Sequence, residues 1–183
     1  QIVASMNAGT GLGRHRLTSR FTSVVRICCI GYPSKDQLQT IYSSYLTPIL
    51  HKQLRKHPVW GSGSKIHALA GSMVQLYDQL KSRFTVDDYS HYLFTPRDLT
   101  NWCLSLLRYD LNAGAKEGSS DHLLEVWAYE ARRLFRDKIV GTEGLNKFDS
   151  ILMSVVRSDW STNIFDSLEN DFFVTWGART ESG

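Results

Sequence analysis

The order of hydrophobic and polar positions divides the chain into a short β-like beginning and a long helical remainder. Residues 2–7 and 24–30 are short, β-branched runs that are apolar on both faces, which is typical of buried strands. After Pro33 the apolar positions recur at steps of three and four, the spacing of one helix face. We therefore predict a mostly α fold with a small β part.

Five helices are predicted from these apolar stripes. The clearest stripe comprises Leu38, Ile41, Tyr42, Tyr45, Leu46, Ile49 and Leu50. Residues that favour helix caps mark four of the five predicted starts: Ser34 with Gln37, Ser64, Thr95 with Pro96, and Thr142. Residues 112–120 form the clearest loop, and residues 172–176 form a strand-like aromatic cluster.

Composition excludes several classes of function. The chain has 183 residues, 42% of them hydrophobic, and a net charge of +3, which is too small to indicate nucleic acid or a membrane as a partner. Its three cysteines fit no disulfide framework or zinc site, and Cys28 and Cys29 are expected in the core. We expect a soluble protein of a reducing compartment and, because it begins with Gln1, a piece of a longer one.

Asn7 stands where an apolar run gives way to the glycine-rich loop Gly9–Gly13. A carboxamide there could orient a water molecule or touch a terminal phosphate, and a turn-forming asparagine is the alternative. The loop is not a phosphate-binding loop, because Arg14 and His15 follow where Lys and Ser or Thr would be required. No apolar run in the chain ends in paired acids that could hold magnesium.

Four arginines are candidates for contact with phosphate. Arg14, Arg16 and Arg20 crowd one short segment, and an arginine that reaches a neighbour's nucleotide can raise phosphoryl-transfer rates about 10³- to 10⁵-fold. The alternative is a set of surface arginines. Arg97 lies in the first turn of a helix, where the helix dipole disfavours a cation by roughly 0.3–1 kcal/mol. An anionic ligand would offset that cost, and Asp98 is the alternative, local partner.

Several segments together resemble the dynein heavy chain family of AAA+ motors. The segments ASMN, GLGRHRLTSRF and VVRICCIGYP resemble the family's sensor-1 strand, arginine-finger helix and last core strand. HYLFTPRDLTNWCLSLLRYDL resembles the sensor-2 helix of the helical lid, and LLEVWAYEARRLFRDKIVG and FFVTWGAR resemble the link toward the next module. The resemblance covers essentially the whole chain. It is greatest to the third module of the ring in the dynein-2 branch, which serves intraflagellar transport.

This resemblance implies the C-terminal part of an AAA+ α/β core, with two strands, followed by a helical lid and a linking helical segment. It divides the chain into the end of the large subdomain at 1–33, the lid at 34–111, and linking helices with the start of the next module at 112–183.

The resemblance also assigns roles to the candidate residues. Asn7 would be sensor 1, Arg97 would be sensor 2, and Arg20 would be the arginine finger offered to the preceding module. Arg14 and Arg16 lie within reach of the same finger role.

The implied function is that of a motor fragment, which senses ATP or ADP in the third AAA+ site during minus-end-directed intraflagellar transport in the cytoplasm, cytoskeleton and cilium. Nucleotide with Mg²⁺ is expected in the complete module, and neither cofactor binding nor ATPase activity is expected of the fragment alone.

The implied partners are neighbouring AAA+ modules and, through other parts of the parent, light and intermediate chains and microtubules. The alternative is a stand-alone helical interaction module without nucleotide, in which Trp60, Trp102 and Trp127 build a groove for a partner protein.

Overall fold

The computed structural model describes residues 2–6, 15–112 and 121–161, and the chain separates into two units, Gln1–Tyr32 and Pro33–Gly183. In the first unit, helix α1 (Ser19–Thr22) begins after Thr18, whose hydroxyl accepts a hydrogen bond from the Phe21 backbone N–H at 3.3 Å. The predicted glycine-rich loop, most of the predicted 112–120 loop and the predicted strand-like cluster lie outside the described residues.

The two predicted strands do not form in the described part of the first unit. Residues 2–6 are irregular, and residues 24–30 are turn and irregular backbone. Their apolar side chains are exposed, to 99% at Ile2 and 92% at Ile30. A strand requires a neighbour for its backbone hydrogen bonds, and no described residue supplies one. The prediction of a two-stranded core is therefore not met in this structure.

The second unit consists of helices joined by turns and irregular connections, and it has no strand among its described residues. Its α-helices are α2 (Lys35–Leu54), α3 (Gly63–Arg83), α4 (Pro96–Ser105), α5 (Asp121–Phe135) and α6 (Thr142–Trp160). One 3₁₀ turn extends α4 (Leu106–Arg108) and another extends α5 (Arg136–Lys138). Helix α3 packs against α2 and α6, whereas α4 packs against α2 and α5. No helix among the described residues is long and apolar enough to cross a membrane.

The helix starts follow local capping chemistry. The predicted capping box at α2 is confirmed, because Ser34 N–H donates to Gln37 Oε1 at 2.9 Å and Gln37 N–H donates to Ser34 Oγ at 3.3 Å. The predicted start of α4, with Thr95 as cap and Pro96 in the first turn, is also confirmed. The predicted stripe of α2 is buried except at its edge, where Ile41 and Tyr45 are about two-fifths exposed.

Two predicted caps are wrong by one or two residues. Helix α3 begins at Gly63 after Ser62, so Ser64 lies inside the helix and is not its cap. Helix α6 begins at Thr142, and its cap is Gly141. Gly141 has a φ of +81°, a conformation that glycine adopts without the steric cost of a side chain.

The three tryptophans of the predicted groove are core residues. Trp60, Trp102 and Trp127 are all fully buried. The rings of Trp102 and Trp127 lie 4.6 Å apart, and the Trp102 indole N–H donates to the Trp127 carbonyl at 2.9 Å. The predicted partner groove is therefore wrong, because these indoles fill the contact between α4 and α5 or lie beneath Trp160.

Candidate functional site at the start of helix α4

Arg97 is the second residue of α4, and its side chain is exposed. No described residue forms an ion pair or a side-chain hydrogen bond with it. A cation at this position faces the positive end of the helix dipole, which costs roughly 0.3–1 kcal/mol. The arrangement leaves a guanidinium that an anion outside the helical unit would stabilise.

Asp98 is not the partner of Arg97, so that alternative is wrong. Its Oδ2 accepts hydrogen bonds from the Thr95 backbone N–H at 2.8 Å and from the Thr95 hydroxyl at 3.3 Å. Its Oδ1 lies 2.7 Å from Nζ of Lys138, with which it forms an ion pair. Both carboxylate oxygens are therefore engaged, one in capping α4 and the other in holding the chain after α5.

The first turn of α4 is also fixed to α2. The Tyr42 hydroxyl donates to the Pro96 carbonyl at 2.5 Å and lies 3.3 Å from the Thr100 hydroxyl. Burial raises the pKa of Tyr42, against a smaller opposing effect of the hydrogen bond with Thr100. The phenol therefore remains a neutral donor, and it holds the peptide unit that precedes Arg97.

The connection from α3 to α4, residues 84–95, is fastened to residues 138–140. A ring nitrogen of His91, Nε2, lies 2.9 Å from the Lys138 carbonyl, and the Val140 N–H donates to the Tyr92 hydroxyl at 2.9 Å. The Tyr92 ring packs edge-on against Phe84 at 5.7 Å. The start of α4 is thus held by α2 on one side and by the α5–α6 connection on the other.

The other predicted site residues belong to the first unit. Asn7, the predicted sensor 1, and Arg14 lie outside the described residues. Arg16 and Arg20 are exposed, and Arg20 lies in α1, where its carbonyl accepts a hydrogen bond from the Ser23 hydroxyl at 2.9 Å. Arg20 therefore occupies a short helix, and its role as the arginine finger stays a prediction.

The cysteines belong to no metal site within the described residues. No group of three or more His, Cys, Asp or Glu residues is placed there to hold a metal ion. Burial raises the pKa of the Cys103 thiol to about 12, so the thiol stays protonated at neutral pH. Cys28 and Cys29 are exposed, which corrects the expectation that they lie in the core.

Glu130 is a buried carboxylate that the sequence interpretation missed. Its Oε1 accepts a hydrogen bond from the Tyr109 hydroxyl at 2.5 Å, and its Oε2 accepts two from Arg133, at 2.9 and 2.7 Å. Burial alone would raise the pKa of Glu130, but the hydrogen bonds from Arg133, Tyr109 and Ser105 outweigh burial and lower it. Burial and the bond to Glu130 raise the pKa of Tyr109 far above its usual value. The sequence did carry a signal for this buried charge, because Glu130 follows Trp127 by one helical turn on an otherwise apolar stripe.

Comparisons with known proteins agree with this architecture. The family described as dynein heavy chain, ATPase lid domain, matches residues 45–145. The chain is 61% identical over all 183 residues to cytoplasmic dynein 2 heavy chain 1 of Homo sapiens, and 59% identical over the same length to that of Tripneustes gratilla. It is 35% identical over 158 residues, 86% of the chain, to that of Chlamydomonas reinhardtii.

The matched segment runs from within α2 into α6, and it contains the whole of α4 with Arg97. The chain spans only 4% of the length of the human and Tripneustes relatives and 3% of the Chlamydomonas one. The chain belongs to the dynein heavy chain family, and its helical unit contains that family's ATPase lid domain.

Proposed function

We propose that this chain is the lid and linking segment of the third AAA+ module in a dynein heavy chain of the dynein-2 type. In the complete ring it senses whether the third site holds ATP or ADP and relays that state to neighbouring modules. The motor then serves minus-end-directed intraflagellar transport along microtubules, in the cytoplasm, cytoskeleton and cilium. The single observation that carries the sensing role is the exposed guanidinium of Arg97 at the start of α4.

The residues present fit a bound nucleotide phosphate. Arg97 lacks a described partner and can donate two parallel hydrogen bonds to phosphate oxygens. A phosphate at this position would also meet the positive end of the α4 dipole. ATP or ADP with Mg²⁺, when bound by the complete module, supplies a phosphate charge that changes on hydrolysis. Asn7 is proposed as sensor 1 of the complete module.

The relay follows from the attachments of the helix start. The Tyr42 hydroxyl connects the first turn of α4 to α2, and Lys138 connects it to the α5–α6 connection. A force on Arg97 therefore acts on α2 and on the α5–α6 connection as well as on α4. Neighbouring AAA+ modules are the proposed recipients of this movement, whereas microtubules and the accessory chains engage other parts of the parent.

Arg97→Ala in a complete ring that carries this sequence tests the proposal. With the other nucleotide sites inactivated, ADP affinity at the third site should fall about 10- to 100-fold, since hydrogen bonds to charged groups contribute about 1.5–3 kcal/mol. Arg108→Ala is the matched control, because Arg108 is an exposed arginine on the 3₁₀ extension of the same helix. A loss of thermal stability with unchanged affinity would show that Arg97 is structural.

Arg20 is proposed as the arginine finger for the preceding module. Its substitution by alanine should weaken ATP binding or turnover at that preceding site more than substitution of Arg16 or Arg14 does. An equal effect of the three changes would remove Arg20 from this role. The isolated chain is proposed to have no ATPase activity, because it contains no phosphate-binding loop and no paired acids for Mg²⁺.

A further inference from the structure

Lys138 reaches the start of α4 from the end of the 3₁₀ turn that follows α5. Its Nζ lies 2.7 Å from Oδ1 of Asp98, a residue 40 positions earlier in the chain. The same Nζ lies 5.8 Å from the centre of the Phe94 ring. The Asp98 side chain is only 13% exposed, so salt screens this pair less than it screens a surface ion pair.

This contact determines how charge is divided around Arg97. Thr95 engages one oxygen of Asp98 and Lys138 engages the other, so the carboxylate is compensated without Arg97. Without the Lys138 ammonium, the partly buried Asp98 carboxylate would keep one oxygen without a partner. The guanidinium of the adjacent Arg97 could then pair with that oxygen and would be less free to bind phosphate. The combined charge of these three groups would also fall from one positive unit to zero, which weakens attraction for an anion.

The backbone of the same segment adds a second constraint. The Lys138 carbonyl contacts the His91 ring, and Val140 donates to Tyr92, so the α3–α4 connection is held upstream of Thr95. The Lys138 side chain then holds the first turn of α4 through Asp98. Residues 138–140 therefore fix both the path of the chain into α4 and the charge balance at the helix start.

We infer that Lys138 is a positioning residue for nucleotide recognition: it compensates Asp98 so that the Arg97 guanidinium stays free to bind phosphate, and it joins this helix start to the α5–α6 connection. The inference rests on the proposed function of Arg97. It assigns to the link after α5 a direct influence on how tightly the lid holds nucleotide.

A double-mutant cycle between Lys138 and Arg97 in the complete ring tests this inference. Titration with a fluorescent ADP analogue in the presence of Mg²⁺ should show about tenfold weaker binding for Lys138→Met, and Lys138→Arg should bind within about twofold of the parent, because Arg keeps the charge. Lys138→Met should add no further loss to Arg97→Ala, since both changes remove the same interaction.

Two further variants separate positioning from simple stabilisation. Asp98→Asn combined with Lys138→Met removes the carboxylate that would compete for Arg97, so this double variant should bind ADP more tightly than Lys138→Met alone. A purely structural role predicts the opposite, because the double variant loses the charged cap as well as the ion pair. Lys147→Met is the matched control, because Lys147 also lies near a phenylalanine ring, that of Phe84, but contacts no group at the start of α4.

The outcomes distinguish failure of the inference from failure of the proposed function. Unchanged ADP affinity of Lys138→Met, with weakened binding by Arg97→Ala, would overturn the role of Lys138 and leave the function of Arg97 intact. Unchanged affinity of Arg97→Ala would overturn both. If Lys138→Met melts too early for titration, Lys138→Gln keeps a polar head without the charge, and normal affinity of that variant would overturn the inference equally.

Discussion

Glu130 shows how one buried charge contributes to the stability of the helical unit. Its carboxylate is fully buried and is compensated by Arg133 and by the Tyr109 hydroxyl. Three hydrogen bonds to an ionised group make the charged form the favoured one, and the pKa of Glu130 accordingly lies below its usual value. The network also joins the end of the α4 extension to α5.

We expect Glu130→Gln to lower the free energy of unfolding by about 1–3 kcal/mol at neutral pH, because charged hydrogen bonds become neutral ones. A lowered pKa in the folded state stabilises the fold above the usual carboxyl value of 4.5, and this contribution is lost as the pH falls through the folded-state pKa. In urea unfolding between pH 7 and pH 3, the free energy of unfolding should therefore fall less steeply for Glu130→Gln than for the parent as the pH is lowered. Glu143→Gln, at an exposed position in the first turn of α6, is the control, and an equal decline for all three proteins would contradict this account.

The sequence pattern makes Arg97 a candidate site residue but gives no signal for Lys138, and the reason is distance along the chain. Arg97 is conspicuous because a local rule, the dipole at a capped helix start, makes its position unfavourable. Lys138 gains its role from a contact with Asp98 formed only when α4 and α5 pack together. Asp98 was the alternative partner of Arg97 because the two are neighbours in sequence, but its carboxylate contacts Thr95 and Lys138 instead.

At the scale of elements, helices could be predicted and strands could not. The stripes of α2 to α6 and the capping box at Ser34 depend on residues within a few positions, so the local pattern determines them. Residues 2–6 and 24–30 have strand-like composition, but a strand also requires a paired neighbour elsewhere in the fold. The alternative in which Trp60, Trp102 and Trp127 form a partner groove could not be decided from the sequence, because an apolar stripe does not reveal whether it meets another helix or a partner protein.

Two glycines near the start of α3 provide a matched pair for a test of packing: Gly61 in the turn after α2, and Gly63 as the first residue of α3. A side-chain carbon at Gly61 would lie 2.7 Å from the Arg55 carbonyl oxygen and 2.8 Å from that of His57, whereas one at Gly63 meets nothing within 4 Å. We expect Gly61→Ala to destabilise the unit by about 1–3 kcal/mol, because backbone atoms beside the buried Trp60 must shift.

Gly63→Ala should leave stability unchanged or raise it by up to about 1 kcal/mol, because alanine is the better helix former. Thermal unfolding of the two variants measures the difference. At this chain length, each kcal/mol corresponds to about 2–4 °C in Tm. Similar melting temperatures would mean that the turn relaxes more easily than its close contacts indicate.

At the scale of the whole molecule, the two units differ in how much of their surface they bury. The helical unit has a continuous core that includes Trp102, Trp127 and Phe148, whereas Ile2, Val3 and Ile30 in the first unit are almost wholly exposed. If the first unit contains two core strands of an AAA+ module, as the resemblance implies, each lacks the neighbouring strand that would carry the phosphate loop. We propose that the first unit requires the rest of its module to form these strands.

Hydrogen exchange on the isolated chain at low concentration tests this division. Slow exchange is expected for the helical backbone amides between Leu38 and Leu107, because helices with buried faces open only by larger unfolding. Fast exchange is expected for residues 2–6 and 15–30, which lack regular pairing outside α1. Uniform protection of a verified monomer would contradict the proposal that the first unit requires the rest of its module.

The distance between Arg97 and bound nucleotide tests the central claim most directly. A structure of the complete third module with ADP and Mg²⁺ should place a guanidinium nitrogen of Arg97 about 2.7–2.9 Å from a phosphate oxygen. Lys138 should remain paired with Asp98, as it is at 2.7 Å in the lid alone. An ordered ADP with the Arg97 guanidinium in solvent, or paired with Asp98, would contradict the account.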